Sequence, residues 1–284
     1  MPELPEVEVV RQFLDTNIVG KTITHLEVLH PKSFIGHPDR LKHQPIVGTS
    51  RLGKQLSLHL KNGLILLFHL KMTGQIIFGA SVWGHPTPKE DKSHLPNKST
   101  RLVFTFSDQT KMYFNDQRKF GWVKLFTPDQ LAQFQQSIGL DLLDPKFTPA
   151  YFYRQLQSSR RPVKLVLLDQ HKFAGIGNIY DNDALFLSQI NPQTPANQLT
   201  FSQSRLLRSH LVKLIKESIA HGGSTAKDNK YVRPDGSFGQ HQYHFRVYQR
   251  QGEPCSVCRT PIVRISLGGR GTFYCPHCQP FLLK

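Results

Sequence analysis

The chain has 284 residues, 38% of them hydrophobic, enough for two domains with real cores. Lys and Arg number 36 against 20 Asp and Glu, and a net charge of +16 points to a polyanion partner, nucleic acid before an anionic membrane surface. Apolar runs such as Leu64–Phe68 are too short to span a bilayer, and the acidic first eight residues lack the apolar core of a secretory signal, so a cytoplasmic protein is expected.

The first stretch, Pro2-Glu3-Leu4-Pro5-Glu6-Val7-Glu8, carries the least ordinary chemistry. Removal of the initiator would leave Pro2 with a free secondary amine. An α-amine titrates near about 8 against about 10.4 for lysine, so near pH 7.5 roughly a quarter is unprotonated, against about a thousandth of a lysine. Such an amine attacks carbon electrophiles and forms Schiff bases. Pro5 suits a helix start with Glu6 and Glu8 in the first turn, and the positive helix end would lower the pKa of a nearby amine. Glu3 is then a candidate proton shuttle. The plainer alternative is a helix start with ordinary acidic capping.

Val7, Val10, Phe13 and Leu14 recur at helical spacing. Short β-type runs follow at Thr22–Leu29, Ile46–Leu52, Gln55–Leu60, Leu64–Leu70, Gln75–Phe78, Leu102–Ser107, Lys111–Phe114 and Trp122–Phe126, with Lys61-Asn62-Gly63 as a hairpin turn. That series predicts a β-sandwich carrying the N-terminal helix. Gly79–Thr100, rich in Pro, Lys, Ser and His, reads as a long exposed loop. From about Pro128 the pattern turns helical, with candidates at Tyr151–Ser158, Val163–Gln170, Ile179–Gln189 and Phe201–Ala220, the last ended by Gly222-Gly223. Ser224–Gln242 reads as a mobile loop, and Tyr243–Tyr248 resumes strand character.

The strongest motif is Cys255-x2-Cys258-x16-Cys275-x2-Cys278. Two CxxC pairs around a hairpin-sized stretch form a closed tetrahedral zinc site, and four sulfurs leave the metal no position for water. One structural Zn2+ is expected. Between the pairs, Ile262–Leu267 and Thr272–Tyr274 flank Gly268-Gly269-Arg270-Gly271, a hairpin whose tip arginine either forks onto a phosphate or is simply solvated. Gly175-Ile176-Gly177-Asn178-Ile179-Tyr180 joins two helices, and its glycines and the following helix start suit an anion, although many helix junctions look alike. Lys54 and His69 close two strands, where a lone histidine is also compatible with a structural role. Asn115–Gly121 places Arg118 and Phe120 two apart on a turn, as a base wedge or as ordinary packing.

These five motifs, in their order along the chain, resemble those of the formamidopyrimidine-DNA glycosylases, bacterial enzymes that excise oxidised purines such as 8-oxoguanine. The resemblance covers the whole chain. It implies a bifunctional glycosylase and lyase in which Pro2 attacks C1′ of a flipped nucleotide, Glu3 moves protons, and β- then δ-elimination cuts the strand. It assigns Lys54 and Arg270 to the elimination steps as proton donors or phosphate clamps, with charge stabilisation the better role for an arginine whose pKa exceeds about 12. It places His69, Arg160, Asn178 and Tyr180 on DNA, with the register at Arg160 not fixed by the motif. It makes Met72, Arg118 and Phe120 the triad that fills the void left by base flipping. Glu6 and Glu8 position the terminus or touch the lesion, and Ser224 and Thr225 begin the loop that closes over the oxidised base.

Two departures from the family pattern stand out. Lys98-Ser99-Thr100-Arg101 replaces the usual Lys-His-x-His, with Arg101 as a substitute contact, and the Gly79–Ser99 loop looks partly inserted. Asp181 and Asn182 are also unusual beside Asn178. The expectation is an α+β protein with a β-sandwich catalytic domain (1–127), a linker (128–145), a helical domain with a helix–two-turn–helix motif and lesion loop (146–242), and a four-cysteine zinc finger (243–284). It acts as a monomer on double-stranded DNA containing oxidised bases or abasic sites, without a membrane partner and associated with the nucleoid through DNA. One alternative is an endonuclease VIII-like enzyme for oxidised pyrimidines, against which Leu4 and the Arg118–Phe120 turn speak. The other is a non-catalytic zinc-finger DNA-binding protein, which gives Pro2-Glu3 no purpose.

Overall fold

A computed structural model describes residues 2–79, 95–225 and 231–281. Most of the expected Gly79–Ser99 insertion and the centre of the Ser224–Gln242 loop lie outside the described residues. The chain divides into two compact units, Met1–Gln136 with Ser218–Gln242, and Ser137–Glu217 with Tyr243–Lys284.

The first unit opens with helix α1 (Leu4–Ile18). Its strands are β1 (Thr22–Val28), β2 (Phe34–Ile35), β3 (Gln44–Leu52), β4 (Gln55–Leu60), β5 (Ile65–His69), β6 (Gly74–Phe78), β7 (Thr100–Phe106), β8 (Lys111–Asp116) and β9 (Trp122–Phe126). They hydrogen-bond in the order β2-β9-β5-β4-β3-β1-β7-β8-β6, antiparallel except for β2 with β9. Among the described residues, the two halves of this ladder pair only at Thr22↔Pro45 and Ile23↔Gln44.

That narrow joint lets the sheet fold over itself. Phe68 on β5 lies 6.0 Å from Phe104 on β7 and 6.3 Å from Phe114 on β8, ring to ring, although these strands are far apart in the ladder. The expected sandwich is therefore one continuous sheet bent into two facing layers. Alternation supplies its filling: Leu56, Leu58 and Leu60 from β4, Leu66 and Phe68 from β5, and Leu102, Phe104 and Phe106 from β7 point into one core. Val7, Val10, Leu14 and Ile18 of α1 complete the same core. Helix α2 (Pro128–Gln135) falls in the expected linker, started by Thr127, whose Oγ1 accepts from the Gln130 amide at 3.3 Å.

The second unit holds α3 (Pro149–Gln157), α4 (Val163–Leu167), α5 (Asn178–Leu187) and α6 (Phe201–Ala220, whose last residues pass into the first unit), with the short parallel pair β10 (Leu140–Asp141) and β11 (Phe173–Ala174). The cysteine-bearing end contributes the hairpin β12 (Val263–Leu267) and β13 (Arg270–Tyr274). Phe186 of α5 packs with Val247, Ile262, Phe273, Cys255 and Cys275, so the finger shares its core with the helices.

The packing boundaries differ from the composition boundaries for identifiable reasons. Tyr231 packs in the α1 core, and Glu6 Oε1 accepts from the Ser224 amide at 2.9 Å, which draws Ser218–Gln242 into the first unit. The expected strand at Tyr243–Tyr248 does not form; a short 3₁₀ turn covers His241–His244 instead. The amides of Arg246, Val247 and Tyr248 all donate to the Asp183 carboxylate, at 2.9, 2.9 and 3.1 Å, which leaves no ladder to join. Burial raises the Asp183 pKa despite those three donors.

Candidate active site and nucleic-acid interface

Pro2 is buried and Glu3 caps α1 in an extended conformation. The Glu3 amide donates to Glu6 Oε2 at 2.8 Å, while Glu6 Oε1 receives the Ser224 amide. One carboxylate thus fastens the start of the chain to the neck of the Ser224–Gln242 loop, and Glu6 is only 1% exposed. Gly223 makes that approach possible: at φ +79° it sits where an added Cβ would lie 3.1 Å from both Glu6 Cγ and the Tyr231 ring. The Tyr231 hydroxyl reaches the Glu6 carbonyl at 3.4 Å, and burial, reinforced by the Glu6 charge, pushes its pKa well up.

Glu8 is committed elsewhere. It accepts from Arg51 Nε at 2.8 Å and from Arg11 Nη2 at 2.8 Å. Burial alone would raise its pKa, but the hydrogen bonds from Arg11 and Arg51 outweigh that and the net shift is downward. Arg51 also donates to the Gly53 carbonyl at 2.9 Å, so α1 is tied at Glu8 to the two-residue turn that presents Lys54. Both Glu6 and Glu8 thus spend carboxylate oxygens on partners within the first unit.

Ser224 and Thr225 are both buried at the loop neck, with different hydroxyl environments. Thr225 Oγ1 donates to the Tyr231 carbonyl and accepts from the Gly239 amide, each at 2.9 Å. Ser224 Oγ is buried with no partner among the described residues. A buried hydroxyl without a partner costs free energy that a ligand can return.

His69 ends β5 opposite Gln55, the residue after Lys54. Its Nδ1 accepts from the Lys71 amide at 3.1 Å, which leaves Nε2 to carry the proton. Burial first, then the charges of Lys71 and Lys54, lower its pKa to about 3, so the ring is a neutral donor at physiological pH. The following turn carries Met72, with Lys71 at φ 51°.

Asp116, fully buried at the end of β8, organises the next turn. Its Oδ2 receives the Gly121 amide at 2.6 Å, and its Oδ1 receives the Arg118 amide at 3.2 Å and the Thr73 hydroxyl. Thr73 Oγ1 in turn accepts from the Arg118 amide at 3.0 Å. The Met72 and Arg118–Phe120 turns are thereby locked together. Phe120 is 54% exposed, which packing of a core ring would not produce. The Arg118 guanidinium lies 4.9 Å from its ring centroid. Arg101, expected as a substitute contact, is instead buried with Nε donating to the Asp116 carbonyl at 2.8 Å. Ser99 is likewise turned inward, its hydroxyl on Asn97 Oδ1 at 2.6 Å.

In the second unit, Asn178 is the first residue of α5, after Gly177. Its Nδ2 donates to the Gly271 carbonyl at 3.0 Å, so the interhelical turn touches the zinc hairpin at its tip. Gly268 and Gly269, at φ 57° and 72°, form the two-residue turn between β12 and β13. Arg270 is exposed beside them and Arg160 is exposed ahead of α4. Tyr180, expected on DNA, is 1% exposed and packs inside the unit.

The four cysteine sulfurs lie within 4.8 Å of one another. Cys255 to Cys278 is 3.9 Å and Cys258 to Cys275 is 3.4 Å. Zinc bonds of about 2.3 Å in a tetrahedron separate sulfurs by about 3.8 Å, so the set fits that ion. The amides of Val257 and Cys278 point at Cys255 and Cys275 sulfur, both at 3.4 Å, as expected of thiolates. The site holds one structural zinc.

Asp116, Thr73 and Arg51 organise these groups, and no local sequence pattern marks the role of Thr73 or Arg51. The Asp-x-Arg spacing at 116–118 was the one visible hint, since a short acid before a turn often accepts amides two residues on. Among the described residues, no helix is long and apolar enough to cross a membrane.

Comparison with known proteins agrees with this geometry. Residues 1–123 match the formamidopyrimidine-DNA glycosylase N-terminal domain, residues 138–230 the H2TH domain of the same enzymes, and residues 252–280 a zinc finger found in FPG and IleRS. The formamidopyrimidine-DNA glycosylase of Bacillus cereus is 37% identical over 289 aligned positions, covering 99% of each chain. Its counterpart in Ligilactobacillus salivarius is 36% identical and covers 98% of this chain and 99% of its own. Lactococcus lactis Fpg, in a complex with DNA containing an abasic site, superposes with a TM-score of 0.86 at 32% identity, covering 99% of this chain and 100% of that one. MutM (Fpg) of Thermus thermophilus gives 0.86 at 35% identity over 98% of each chain. The likeness thus runs end to end, and the chain belongs to the formamidopyrimidine-DNA glycosylases, the base-excision-repair family.

Proposed function

We propose that this enzyme excises oxidised purines, 8-oxoguanine and formamidopyrimidines, and then cuts the abasic strand through a Schiff base on Pro2. The observation that carries the reading is the fastening of Pro2-Glu3 at the N-terminus of α1 by the Glu6 carboxylate. The helix end there favours the neutral amine and any developing negative charge. The Pro2 nitrogen donates its lone pair to C1′, the glycosidic bond breaks, and the base leaves with the electron pair and a proton. Ring opening of the sugar then gives an iminium, which acidifies the C2′ hydrogen. Loss of that proton expels the 3′ phosphate, and a second elimination expels the 5′ phosphate, leaving a one-nucleotide gap. Glu3 carries the proton transfers.

The remaining roles follow the geometry. Lys54, His69, Arg160, Asn178 and Arg270 contact phosphates, His69 through Nε2–H and Arg270 as a charge rather than an acid. Met72, Arg118 and Phe120 fill the vacated stack, the guanidinium pairing with the orphaned base. Glu6 and Glu8 position the terminus, and Ser224 Oγ contacts the lesion base beside Thr225, which holds the loop neck. Tyr180 supports α5 from within. The four segments drawn from composition serve as functional divisions: catalytic sheet, connector, clamp with lesion loop, and finger. The enzyme works as a monomer on chromosomal DNA.

Two assays test this. Duplexes with 8-oxoguanine opposite cytosine should be cut faster than duplexes with thymine glycol; the reverse preference would point to the endonuclease VIII-like reading. A preparation retaining Met1 has its Pro2 nitrogen acylated and should be inactive on both. Equal nicking by processed and unprocessed protein would overturn the Pro2 mechanism.

A further inference from the structure

Lys164, the second residue of α4, has a side chain with 0% exposure. Its ammonium lies 2.8 Å from Asp181 Oδ2, also 0% exposed, and donates to Asn178 Oδ1 at 3.0 Å. Asn178 passes the link on, Nδ2 donating to the Gly271 carbonyl at 3.0 Å. A second route runs from Asp181 Oδ1, which accepts from Asn182 Nδ2 at 2.9 Å, to Asn182 Oδ1, which accepts from the Phe273 amide at 2.7 Å. Both routes end on β13, the strand that begins with Arg270. Gly268 in the same tip is seated on Leu165, next to Lys164, so closely that an added Cβ would lie 2.5 Å from Leu165 Cδ2.

A buried ion pair is poor evidence of stabilisation, because well-packed apolar residues often do as well. What it supplies here is orientation. The two ends of an asparagine amide are nearly the same shape, and packing alone does not choose between them. An ammonium has three hydrogens and no acceptor, so it selects the oxygen. With Oδ1 on Lys164, Nδ2 must face Gly271, which leaves its second hydrogen for a phosphate oxygen. A flipped amide would set Oδ1 against the Gly271 carbonyl and release the tip.

We propose that the Lys164–Asp181 pair is a positioning device that fixes the amide of Asn178 and, through Gly271, the placement of Arg270. Neither residue touches DNA; both act through groups that do. The inference rests on the reading of Asn178 and Arg270 as phosphate contacts.

The test uses the full-length, zinc-loaded protein and a duplex containing a tetrahydrofuran abasic analogue. Asp181→Asn is nearly isosteric and should weaken binding about tenfold, the size of one charge-assisted hydrogen bond. It should also shift the side-chain amide resonance of Asn178 in the DNA-free protein. The double variant Lys164→Met/Asp181→Leu should regain the wild-type Tm while binding about tenfold more weakly, and adding Asn178→Ala should cost less than about twofold more, since all three act on one contact. A double variant that regains both Tm and affinity would make the pair merely structural and overturn the proposal. So would an Asp181→Asn protein with unchanged affinity and resonance beside an Asn178→Ala protein that binds weakly. Full affinity in Asn178→Ala would instead remove the phosphate-contact reading, and the proposal with it.

Discussion

Glu3 and Glu6 differ by three positions and by one function. Glu6 spends its carboxylate on the Glu3 and Ser224 amides, whereas Glu3 is the acid adjacent to Pro2. Glu3→Gln keeps the shape and removes the proton transfer, so single-turnover excision of 8-oxoguanine should fall by about 10² to 10⁴. Affinity for the abasic analogue should change little; a variant that excises at the wild-type rate would remove Glu3 from the chemistry. His69 offers a prediction of the opposite kind. With its folded pKa lowered to about 3, below an unfolded value near about 6.5, the folded protein resists protonation between those limits. Its contribution to stability is therefore present above the unfolded pKa and lost as pH falls through that window. Ring nitrogen resonances should report an unprotonated Nδ1 throughout pH 8 to 5, and a His69 midpoint near 6.5 would contradict the burial and charge account given for it.

Elements were legible where a local pattern coincided with the tertiary one. The run Gln55–Leu60 alternates polar with apolar residues, the run Trp122–Phe126 is rich in aromatic and branched ones, and they became β4 and β9 without adjustment. Strand β2 has only two residues and takes its partner, β9, from far along the chain, so no periodicity could announce it. Helix α2 did announce itself, in the Thr127–Gln130 capping pair, beneath a reading of the segment as linker. Tyr243–Tyr248 misled because its backbone donors are claimed by Asp183, a partner no local rule can see. The candidate site divides in the same way. Cysteine spacing and the Pro-Glu start are chemical signatures readable one residue at a time, while Asp116, Arg51 and Lys164 matter through what they hold in place. The zinc hairpin gives the element-scale prediction. Removing the metal takes away the cross-link that holds β12 and β13, and binding energy at a structural zinc is folding energy. Chelation should release amide protection across Val263–Tyr274 and lower DNA affinity by at least about 100-fold, the loss of two or more phosphate contacts. Full affinity in the metal-free protein would rule out a clamping role for Arg270.

At the scale of the molecule the dominant fact is the net charge of +16. Binding of such a protein to DNA is driven largely by release of counterions, and log K falls linearly with log salt with a slope of about −0.9 per neutralised phosphate. Lys54, Arg160 and Arg270 are the charged contacts proposed, so the slope should be about −3 or steeper. Arg270→Ala should make it shallower by about one. His69 is neutral, and His69→Gln should lower affinity at every salt concentration while leaving the slope unchanged. Equal slopes for wild type and Arg270→Ala would take that arginine off the phosphate.

Which nitrogen meets the sugar decides the mechanism, and borohydride reduction during turnover of an 8-oxoguanine duplex reads that directly. Proteolysis and mass mapping of the trapped species should place the sugar remnant on the N-terminal peptide, at Pro2 itself. A remnant on Lys54 or any other lysine, or no trapped species from an active preparation, would contradict it.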